Sequence, residues 1–179
     1  MKLVVGLGNP GKEYVNTRHN VGFEFVDRLS EGARFSLESK FEALVYREKD
    51  IMFVKPQTFM NESGRAVRKI MDFYKLGTDE VILVHDDLDL KFGEYKIQKG
   101  IGPKVHNGVS SLESSLPDKN FLRVRIGVDN REETFYTGTG SDYVLERFRK
   151  EELEELDEIL EEAADELLVA LGLERRFVS

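Results

Sequence analysis

The chain contains no cysteine among its 179 residues. Disulfide bonds, thiolate metal sites and a cysteine nucleophile are therefore excluded, and this absence suits a cytoplasmic protein. No apolar run approaches the roughly 20 residues that a membrane-spanning helix needs. The start carries one lysine and turns polar after Leu7, so we expect no secretory signal. A composition of 40% hydrophobic and 34% charged residues fits neither a disordered nor a membrane protein, and the length predicts one domain over residues 1–179.

Histidine and net positive charge are both scarce. The three histidines, His19, His85 and His106, are the few candidates for a base that works near neutral pH. The net charge of −8 argues against a nucleic-acid partner, but residues 141–179 hold 13 acidic and 5 basic residues, whereas the rest of the chain is balanced at 21 of each. The body can therefore carry a basic patch. The lysines between residues 91 and 104 are candidates for it, and solvated surface charge is the simpler interpretation of them.

Apolar periodicity predicts strands that alternate with helices. The predicted strands span residues 2–5, 43–47, 51–55, 81–84, 93–98 and 121–128. The predicted helices span residues 20–29, 62–76 and 108–116, with an irregular connector at 30–40. Asn61 stands where the N-cap of the second helix belongs. Arg123 and Arg125 alternate with apolar residues in the last strand, which predicts that the strand has one exposed face.

The C-terminal segment predicts an amphipathic helix. Over residues 151–171 one stripe holds leucines and alanines, and acidic residues cover the rest of the surface. We expect the leucine face to pack on the body as a structural element. The order of strands and helices indicates the fold class, one α/β domain with a mixed sheet and this helix at its end.

A glycine motif follows the first strand. Residues 6–11, Gly-Leu-Gly-Asn-Pro-Gly, fit the G-x-G-x-x-G pattern of dinucleotide-binding folds. In those folds a helix starts inside the loop and contains the third glycine. Pro10 stands where that helix would already be running, and the next residues have no helical stripe. We therefore interpret the glycines as allowing a sharp turn that directs Asn9 into a cleft.

Five further blocks carry most of the polar residues that chemistry could use. They are Val5-Gly6-Leu7-Gly8-Asn9-Pro10-Gly11-Lys12-Glu13-Tyr14 with Thr17-Arg18-His19-Asn20-Val21-Gly22, then Pro56-Gln57-Thr58-Phe59-Met60-Asn61-Glu62-Ser63-Gly64, His85-Asp86-Asp87-Leu88-Asp89-Leu90, His106-Asn107-Gly108, and Arg123-Val124-Arg125-Ile126-Gly127-Val128. In order and spacing, over about residues 3–128, they closely resemble the blocks of bacterial peptidyl-tRNA hydrolases. The resemblance implies a cytoplasmic, monomeric enzyme with a twisted mixed β-sheet flanked by helices and no metal or cofactor.

The reaction that this resemblance implies is cleavage of the ester between a peptidyl group and the 3′-terminal ribose of tRNA. It frees tRNA from peptides that stalled ribosomes release. The partner would be peptidyl-tRNA, with no membrane involved. No serine lies in a G-x-S-x-G elbow, so a covalent acyl route has little support. A histidine that activates water is the alternative, because its pKa of about 6.5 leaves it mostly neutral at pH 7.

The resemblance assigns the catalytic roles to three residues. His19 would be the general base, although on its own it could equally cap the helix that starts near Asn20. Asp86 would fix the tautomer of His19 and stabilise the imidazolium. Asp87 and Asp89 are interpreted as turn residues. Asn9 would distinguish the neutral amide of a peptidyl substrate from the charged amine of aminoacyl-tRNA.

The resemblance also assigns residues that bind substrate. Asn61 and Asn107 would contribute amides to the oxyanion and the water. His106 belongs to the same block as Asn107, and Met60 would line the floor beside the peptide. Tyr14 and Phe59 would stack on the end of the tRNA, although a core aromatic is an equal interpretation of Phe59.

Of the two residues that hold the 5′-phosphate in the family, this chain matches one and departs from the other. Arg125 matches the arginine credited with holding the 5′-phosphate, whereas Gln98 occupies the usual lysine position. Lys96 and Lys99 flank it and are the substitutes. The rim at 99–105, usually glycine-rich, contains proline and valine here, which predicts a rim that is stiffer or differently shaped. We expect the acidic face of the C-terminal helix to point away from RNA.

Two other function classes remain open from the sequence. His85, Asp86, Asp87 and Asp89 could be the hard ligands of a metal-dependent phosphohydrolase. The departures around residue 98 and before His106 also permit a non-catalytic RNA-binding relative of the family.

Overall fold

A seven-stranded mixed sheet forms the centre of the structure, a computed structural model that describes residues 1–173. The strands are β1 (Lys2–Gly6), β2 (Ser36–Glu38), β3 (Ala43–Glu48), β4 (Ile51–Pro56), β5 (Val81–Lys91), β6 (Tyr95–Lys99) and β7 (Leu122–Asp129). The helices are α1 (Val21–Leu29), α2 (Ser63–Tyr74), α3 (Asn107–Ser115), α4 (Gly140–Val144) and α5 (Lys150–Ala170). Residues 174–179, which we assigned to the same domain from the sequence, lie outside the described part.

The strands follow the order β2-β3-β4-β1-β5-β7-β6 across the sheet. The central strand β1 is parallel to both β4 and β5, and β5 is parallel to β7. The two edges are antiparallel, with β2 and β3 on one side and β6 on the other. Since the parallel strands β4, β1, β5 and β7 are neighbours, their carboxyl ends meet along one edge of the sheet, where α/β folds place their sites.

The side chains of β1 alternate between the two faces of the sheet. Leu3 and Val5 point into a core that contains Val67 of α2 and Leu112 of α3. Val4 points into the opposite core, which α1 and α5 cover with residues that include Phe25, Leu160 and Leu167. The result is a three-layer domain, and the predicted fold class is confirmed. No helix within residues 1–173 is long and apolar enough to cross a membrane.

The predicted exposed face of the last strand is wrong. Arg123 is 1% exposed and Arg125 is 7% exposed. Arg123 donates to Glu113 at 2.9 Å and to the carbonyl of Gly102. Arg125 donates from Nε to Asp87 Oδ2 at 2.7 Å. Each arginine is buried because an acid elsewhere in the chain neutralises it, which an alternating pattern does not show.

Other local predictions need smaller corrections. The connector at 30–40 contains the edge strand β2, and the strand predicted at 81–84 continues to Lys91. Asn61 does not cap α2, because Glu62 occupies the cap position and makes no side-chain cap bond. In α5 the buried stripe follows the prediction at Leu156, Leu160 and Leu167.

Candidate active site

The carboxyl ends of the parallel strands open into a cleft of about 440 Å³. Most of the predicted site residues line it, namely Asn9, His19, Phe59, Met60, Asn61, Asp86, His106 and Asn107. Apolar side chains that sequence analysis did not assign complete the wall, namely Leu88, Val105, Val144 and Leu145. The cleft thus combines a polar floor with an apolar rim, which is typical of a site that holds an organic substrate.

His19 and Asp86 meet at the floor of the cleft. His19 lies in a 3-10 turn (Arg18–Asn20) directly before α1, and Asp86 lies inside β5 rather than after its end, as the sequence had suggested. His19 Nδ1 lies 2.9 Å from Oδ1 and 3.1 Å from Oδ2 of Asp86. With Nδ1–H donating to the carboxylate, Nε2 is left as the free acceptor of the ring.

The electrostatics of the pair favour a charged imidazole next to a carboxylate. Burial lowers the pKa of His19, but the negative charge of Asp86 and its hydrogen bond outweigh burial, so that the pKa lies above 6.5. Burial raises the pKa of Asp86, and the imidazoles of His19 and His106 outweigh that effect and hold the pKa far below its usual range. Asp86 is therefore ionised throughout the physiological range.

His106 is a second donor to the same carboxylate. Its Nε2 lies 2.7 Å from Asp86 Oδ1. Its Nδ1 accepts the backbone N–H groups of Gly108 at 3.1 Å and Val109 at 3.3 Å, at the first turn of α3. Since Nδ1 accepts, Nε2 carries the hydrogen that His106 donates to Asp86. The sequence had assigned His106 to substrate binding and gave no sign of this contact.

The same tautomer bears on metal binding. His19, Asp86 and His106 place one ligand atom each within 4.8 Å of one another, as a metal site would require. A metal on Nε2 of His106 would need that atom's lone pair, and the proton would then have to move to Nδ1, where two N–H groups already point. The donor set therefore fits a hydrogen-bonded triad better than a metal site.

Asn9 is fixed by hydrogen bonds on three of its groups. Its Oδ1 accepts the backbone N–H of Met60 at 2.9 Å. Its own backbone N–H donates to Asn20 Oδ1, and its carbonyl accepts from Asn20 Nδ2, both at 2.9 Å. Within residues 1–173 its Nδ2 has no protein partner, so Asn9 presents a side-chain donor to the cleft. Asn20 was missed as a site residue, and its only signal was its place beside His19 at a helix start.

The glycines near Asn9 act differently from the sequence-based interpretation. Gly6 and Gly8 have no positive φ; a Cβ on Gly6 would overlap the carbonyl of Gly22, and one on Gly8 would lie 2.7 Å from the ring of Phe23. They allow α1 to approach the strand rather than a sharp turn. Gly11 alone of the motif has a positive φ, 121°. No helix begins in the loop, in agreement with our rejection of a dinucleotide site.

The rest of the predicted set falls into two groups. Phe59 is 58% exposed at the cleft, which rejects a core role, and Met60 is buried in the floor. Asn61 and Asn107 are exposed cleft residues, and within residues 1–173 neither side-chain amide has a protein partner.

The second group does not line the cleft. Tyr14 is half-buried in the 3-10 turn Lys12–Tyr14. Arg125 is buried against Asp87, and Lys96 and Lys99 are exposed on the edge strand β6. If Arg125, Lys96 or Lys99 binds a phosphate, that contact therefore lies outside the cleft, and so does any stacking on Tyr14.

The residues of the metal phosphohydrolase hypothesis do not converge on one site. Asp87 is buried inside β5 with its two oxygens bound to Arg125 and to the N–H of Asp89, so it is not a turn residue. His85 donates from Nδ1 to the carbonyl of Asp86, and burial, assisted by His106, lowers its pKa to about 3. The side chains of His85 and Asp87 already form hydrogen bonds within the protein, so the metal phosphohydrolase hypothesis is not favoured.

An α/β sheet that places a histidine–carboxylate pair in an amide-lined cleft is typical of hydrolases that activate a water molecule. Comparison with known proteins specifies the family. A family model for peptidyl-tRNA hydrolase matches residues 3–177. A peptidyl-tRNA hydrolase of Mycolicibacterium vanbaalenii is 43% identical over 96% of this chain and 92% of its own, and one of Sulfurovum sp. (strain NBC37-1) is 40% identical over 92% and 86%. The crystal structure of peptidyl-tRNA hydrolase from Acinetobacter baumannii matches with a TM-score of 0.85 at 31% identity, over 96% of this chain and 89% of that one. The chain belongs to the peptidyl-tRNA hydrolase family.

Proposed function

We propose that His19 is the general base with which this protein hydrolyses peptidyl-tRNA, the reaction of its family. The contact between His19 Nδ1 and Asp86 is the observation that carries the proposal, because in the neutral ring it places the proton on Nδ1 and the free lone pair on Nε2, at the floor of the cleft. The intact pair also disfavours a non-catalytic relative, since RNA binding alone would not need a base that is oriented in this way.

The proposed reaction needs one water and one imidazole. His19 Nε2 removes a proton from water while the water oxygen bonds to the ester carbonyl carbon, and the carbonyl π electrons move onto oxygen. The tetrahedral intermediate then collapses, the bond to the 3′-terminal ribose oxygen breaks, and that oxygen takes the proton from His19. The peptide leaves as a carboxylic acid, which releases its proton to solvent and becomes a carboxylate, and the tRNA leaves with a free ribose hydroxyl.

Asp86 and the cleft amides lower the barriers of these steps. The carboxylate of Asp86 stabilises the imidazolium, in line with the raised pKa of His19. The unpaired side-chain amides of Asn61 and Asn107 can donate to the oxyanion and orient the water. Removing one such donor typically costs about 10²- to 10³-fold in rate.

Asn9 accounts for selection of peptidyl over aminoacyl esters. Its oxygen is occupied by the N–H of Met60, so the side chain offers only its NH₂ group. The carbonyl of an N-acylated substrate can accept from that group. The ammonium of aminoacyl-tRNA is itself only a donor and would be left desolvated without a partner, which costs several kcal/mol.

The tRNA would approach along the exposed rim of the cleft. Phe59 presents a ring on which a terminal base can stack, with a contribution of about 1–3 kcal/mol. Met60 and His106 form the floor next to the ester. Lys96 and Lys99 are exposed and free to meet phosphates farther out, whereas the Nε of Arg125 is taken by Asp87.

We further propose that the protein works as a monomer in the cytoplasm, where ribosomes release peptidyl-tRNA. The contacts among His19, Asp86 and His106 are complete within one chain, so the proposed site needs no residue from a second copy. Light scattering behind a sizing column, at concentrations that span the assay, would give a mass near 20.6 kDa.

One assay tests the mechanism. N-acetyl-aminoacyl-tRNA is incubated with the wild type and with His19→Ala, each with and without EDTA, and aminoacyl-tRNA serves as the control substrate. The proposal expects cleavage of the acetylated substrate alone, resistance to EDTA and loss of activity in the variant. Undiminished cleavage by His19→Ala would reject the mechanism, and loss on chelation would restore a metal-dependent reaction.

A further inference from the structure

A buried ion pair joins the segment that carries His19 to the C-terminal helix. Arg18 Nη2 lies 2.7 Å from Glu152 Oε2, and the two residues are only 2% and 5% exposed. The sequence had placed the acids of α5 on its outer face. Glu152 is an exception to that pattern, since it points inward and meets the residue directly before His19.

Both members of the pair make further contacts with the chain around residues 130–149. The guanidinium of Arg18 donates to the carbonyls of Glu146 at 3.3 Å and Arg147 at 3.0 Å, and it lies 4.2 Å from the ring centre of Tyr143. The carboxylate of Glu152 accepts the backbone N–H of Arg149 at 2.7 Å and the side chain of Asn130 at 3.2 Å.

Stability alone does not account for this arrangement. Desolvation of two charges consumes much of the energy of a buried ion pair, and apolar replacements of similar volume are often neutral or stabilising. The Nε of Arg18 is also buried without a partner among the residues that the structure describes, which adds to the cost. In some proteins a buried ion pair instead fixes the geometry between the elements that it joins.

The turn that contains Arg18 and the helix that contains Tyr143 each contribute a residue to the cleft, His19 and Val144. The turn Arg18–Asn20 has no side-chain cap of its own, and its first N–H donates to Glu146 at 3.1 Å. In α4, Tyr143 packs on the guanidinium while its neighbour Val144 lines the cleft. The guanidinium of Arg18, the residue directly before His19, therefore contacts the helix that forms part of the cleft wall.

We propose that Arg18 is a positioning residue, held by Glu152, that sets the place of His19 relative to the α4 wall of the cleft. This inference rests on the proposed role of His19. Arg18 does not touch the reacting atoms. A guanidinium can satisfy two carbonyls and a carboxylate and stack on an aromatic ring at once, which an ammonium cannot, so lysine is not an equivalent residue here.

The test compares matched substitutions in the full-length protein. Arg18→Lys and Glu152→Gln are assayed on N-acetyl-aminoacyl-tRNA beside Arg28→Lys. Arg28 also forms an ion pair with α5, through Glu161 at 2.9 Å, but it lies in α1, away from the His19 turn. We expect kcat to fall about 10- to 100-fold in the first two, with KM within about twofold, because a displaced base costs rate rather than binding. Arg28→Lys should match the wild type.

A second readout separates positioning from loss of fold. With three histidines in the chain, the imidazole resonances can be assigned by single substitutions, and the proposal expects that of His19 to shift in Arg18→Lys while that of His85 stays. Should either variant fail to fold, the paired replacement Arg18→Met with Glu152→Leu removes both charges and serves in its place.

The outcomes distinguish the two proposals. A wild type that does not cleave the substrate rejects the function proposed for the site. An active wild type whose folded Arg18 and Glu152 variants keep kcat within about twofold rejects only the positioning role.

Discussion

His106 Nε2 and Asp86 Oδ1 are 2.7 Å apart, and the same oxygen accepts the hydrogen bond from His19. Asp86 is thus shared between the imidazole of His19, the proposed general base, and that of His106, whose Nδ1 accepts two N–H groups from the first turn of α3. This arrangement prevents Asp86 from rotating and leaves it less basic than a carboxylate with one partner.

Substitutions of His106 should show whether the hydrogen bond from its Nε2 to Asp86 contributes to the rate. In His106→Gln the side-chain NH₂ can occupy the place of Nε2 and donate to Asp86, whereas the shorter His106→Asn cannot reach it. We expect Gln to retain most of kcat and Asn to lose about tenfold. With one donor fewer on Asp86, the pKa of His19 should rise further in the Asn variant, and the acid limb of its pH–rate profile should move to higher pH. Equal losses in both variants would contradict this role.

The pH dependence of the wild type follows from the raised pKa of His19. The proposed base works only when its imidazole is neutral, so kcat/KM should rise with pH through a pKa above 6.5 and then level off. In Asp86→Asn the carboxylate is gone and burial remains, so the acid limb should move to lower pH while the plateau falls about 10²- to 10⁴-fold. An acid limb that stays in place would show that Asp86 does not control His19.

His85 should make folding sensitive to acid. Its pKa is lowered to about 3 in the folded state, mainly by burial, so the unfolded chain binds more protons between about pH 6.5 and 3. As the pH decreases through this range, the free energy of unfolding should therefore decrease by up to about 1.4 kcal/mol per pH unit because of this residue. His85→Asn keeps a donor to the carbonyl of Asp86 and does not titrate. Urea melts at several pH values should show a shallower decline in the variant, and parallel declines would refute the assignment.

The rim before His106 is held by side chains from the sheet. Asp89 Oδ2 accepts the N–H of Lys104 at 2.8 Å, and Arg123 donates to the carbonyl of Gly102. Asp89→Ala should free the rim and raise KM about 3- to 10-fold with a smaller change in kcat, whereas Asp89→Asn keeps an acceptor and should remain close to the wild type. Identical KM values for the two variants would argue that the rim does not depend on this bond.

The acidic face of α5 should not influence tRNA binding. Glu154 and Glu158 are exposed on this helix, and no residue of α5 lines the cleft. Charge reversal at both positions to lysine should change KM by less than about twofold at moderate salt, because charges beyond a Debye length of about 10 Å are screened. A large fall in KM would place this face against the RNA.

Periodicity predicts four of the five α-helices in residues 1–173 and most strands, because their apolar residues repeat with the period of the element. It misses the short helix α4 and the edge strand β2. It failed where buried positions are polar. The predicted strand ends at Val84 because His85 and Asp87 look like surface residues. Both are buried in β5, His85 with the backbone carbonyl of Asp86 as its partner and Asp87 with Arg125. Partners distant in sequence cannot be recognised from a single chain's pattern.

The same limit applies to the site. His19 and Asp86 are 67 residues apart, and only the resemblance to a family suggested that they belong together. It did not suggest that Asn20 holds Asn9, that His106 donates to Asp86 or that Glu152 points inward, because each of these depends on where the backbone places a side chain. Whether the assigned residues carry their catalytic roles stays a prediction for the assays above.

Gly6 and Gly22 bring strand β1 and helix α1 into backbone contact, since a Cβ on Gly6 would overlap the carbonyl of Gly22 and one on Gly22 would overlap the N–H of Leu7. The fourteen residues from 7 to 20, which include Asn9 and His19, therefore form a closed loop whose two ends are fastened to each other. A donor and a base on such a loop lose little entropy when substrate binds, because folding has already restricted both. An alanine at either glycine would push the two ends of the loop apart and displace both Asn9 and His19. The catalytic rate would then change because of a substitution in the core, although no cleft residue had been replaced.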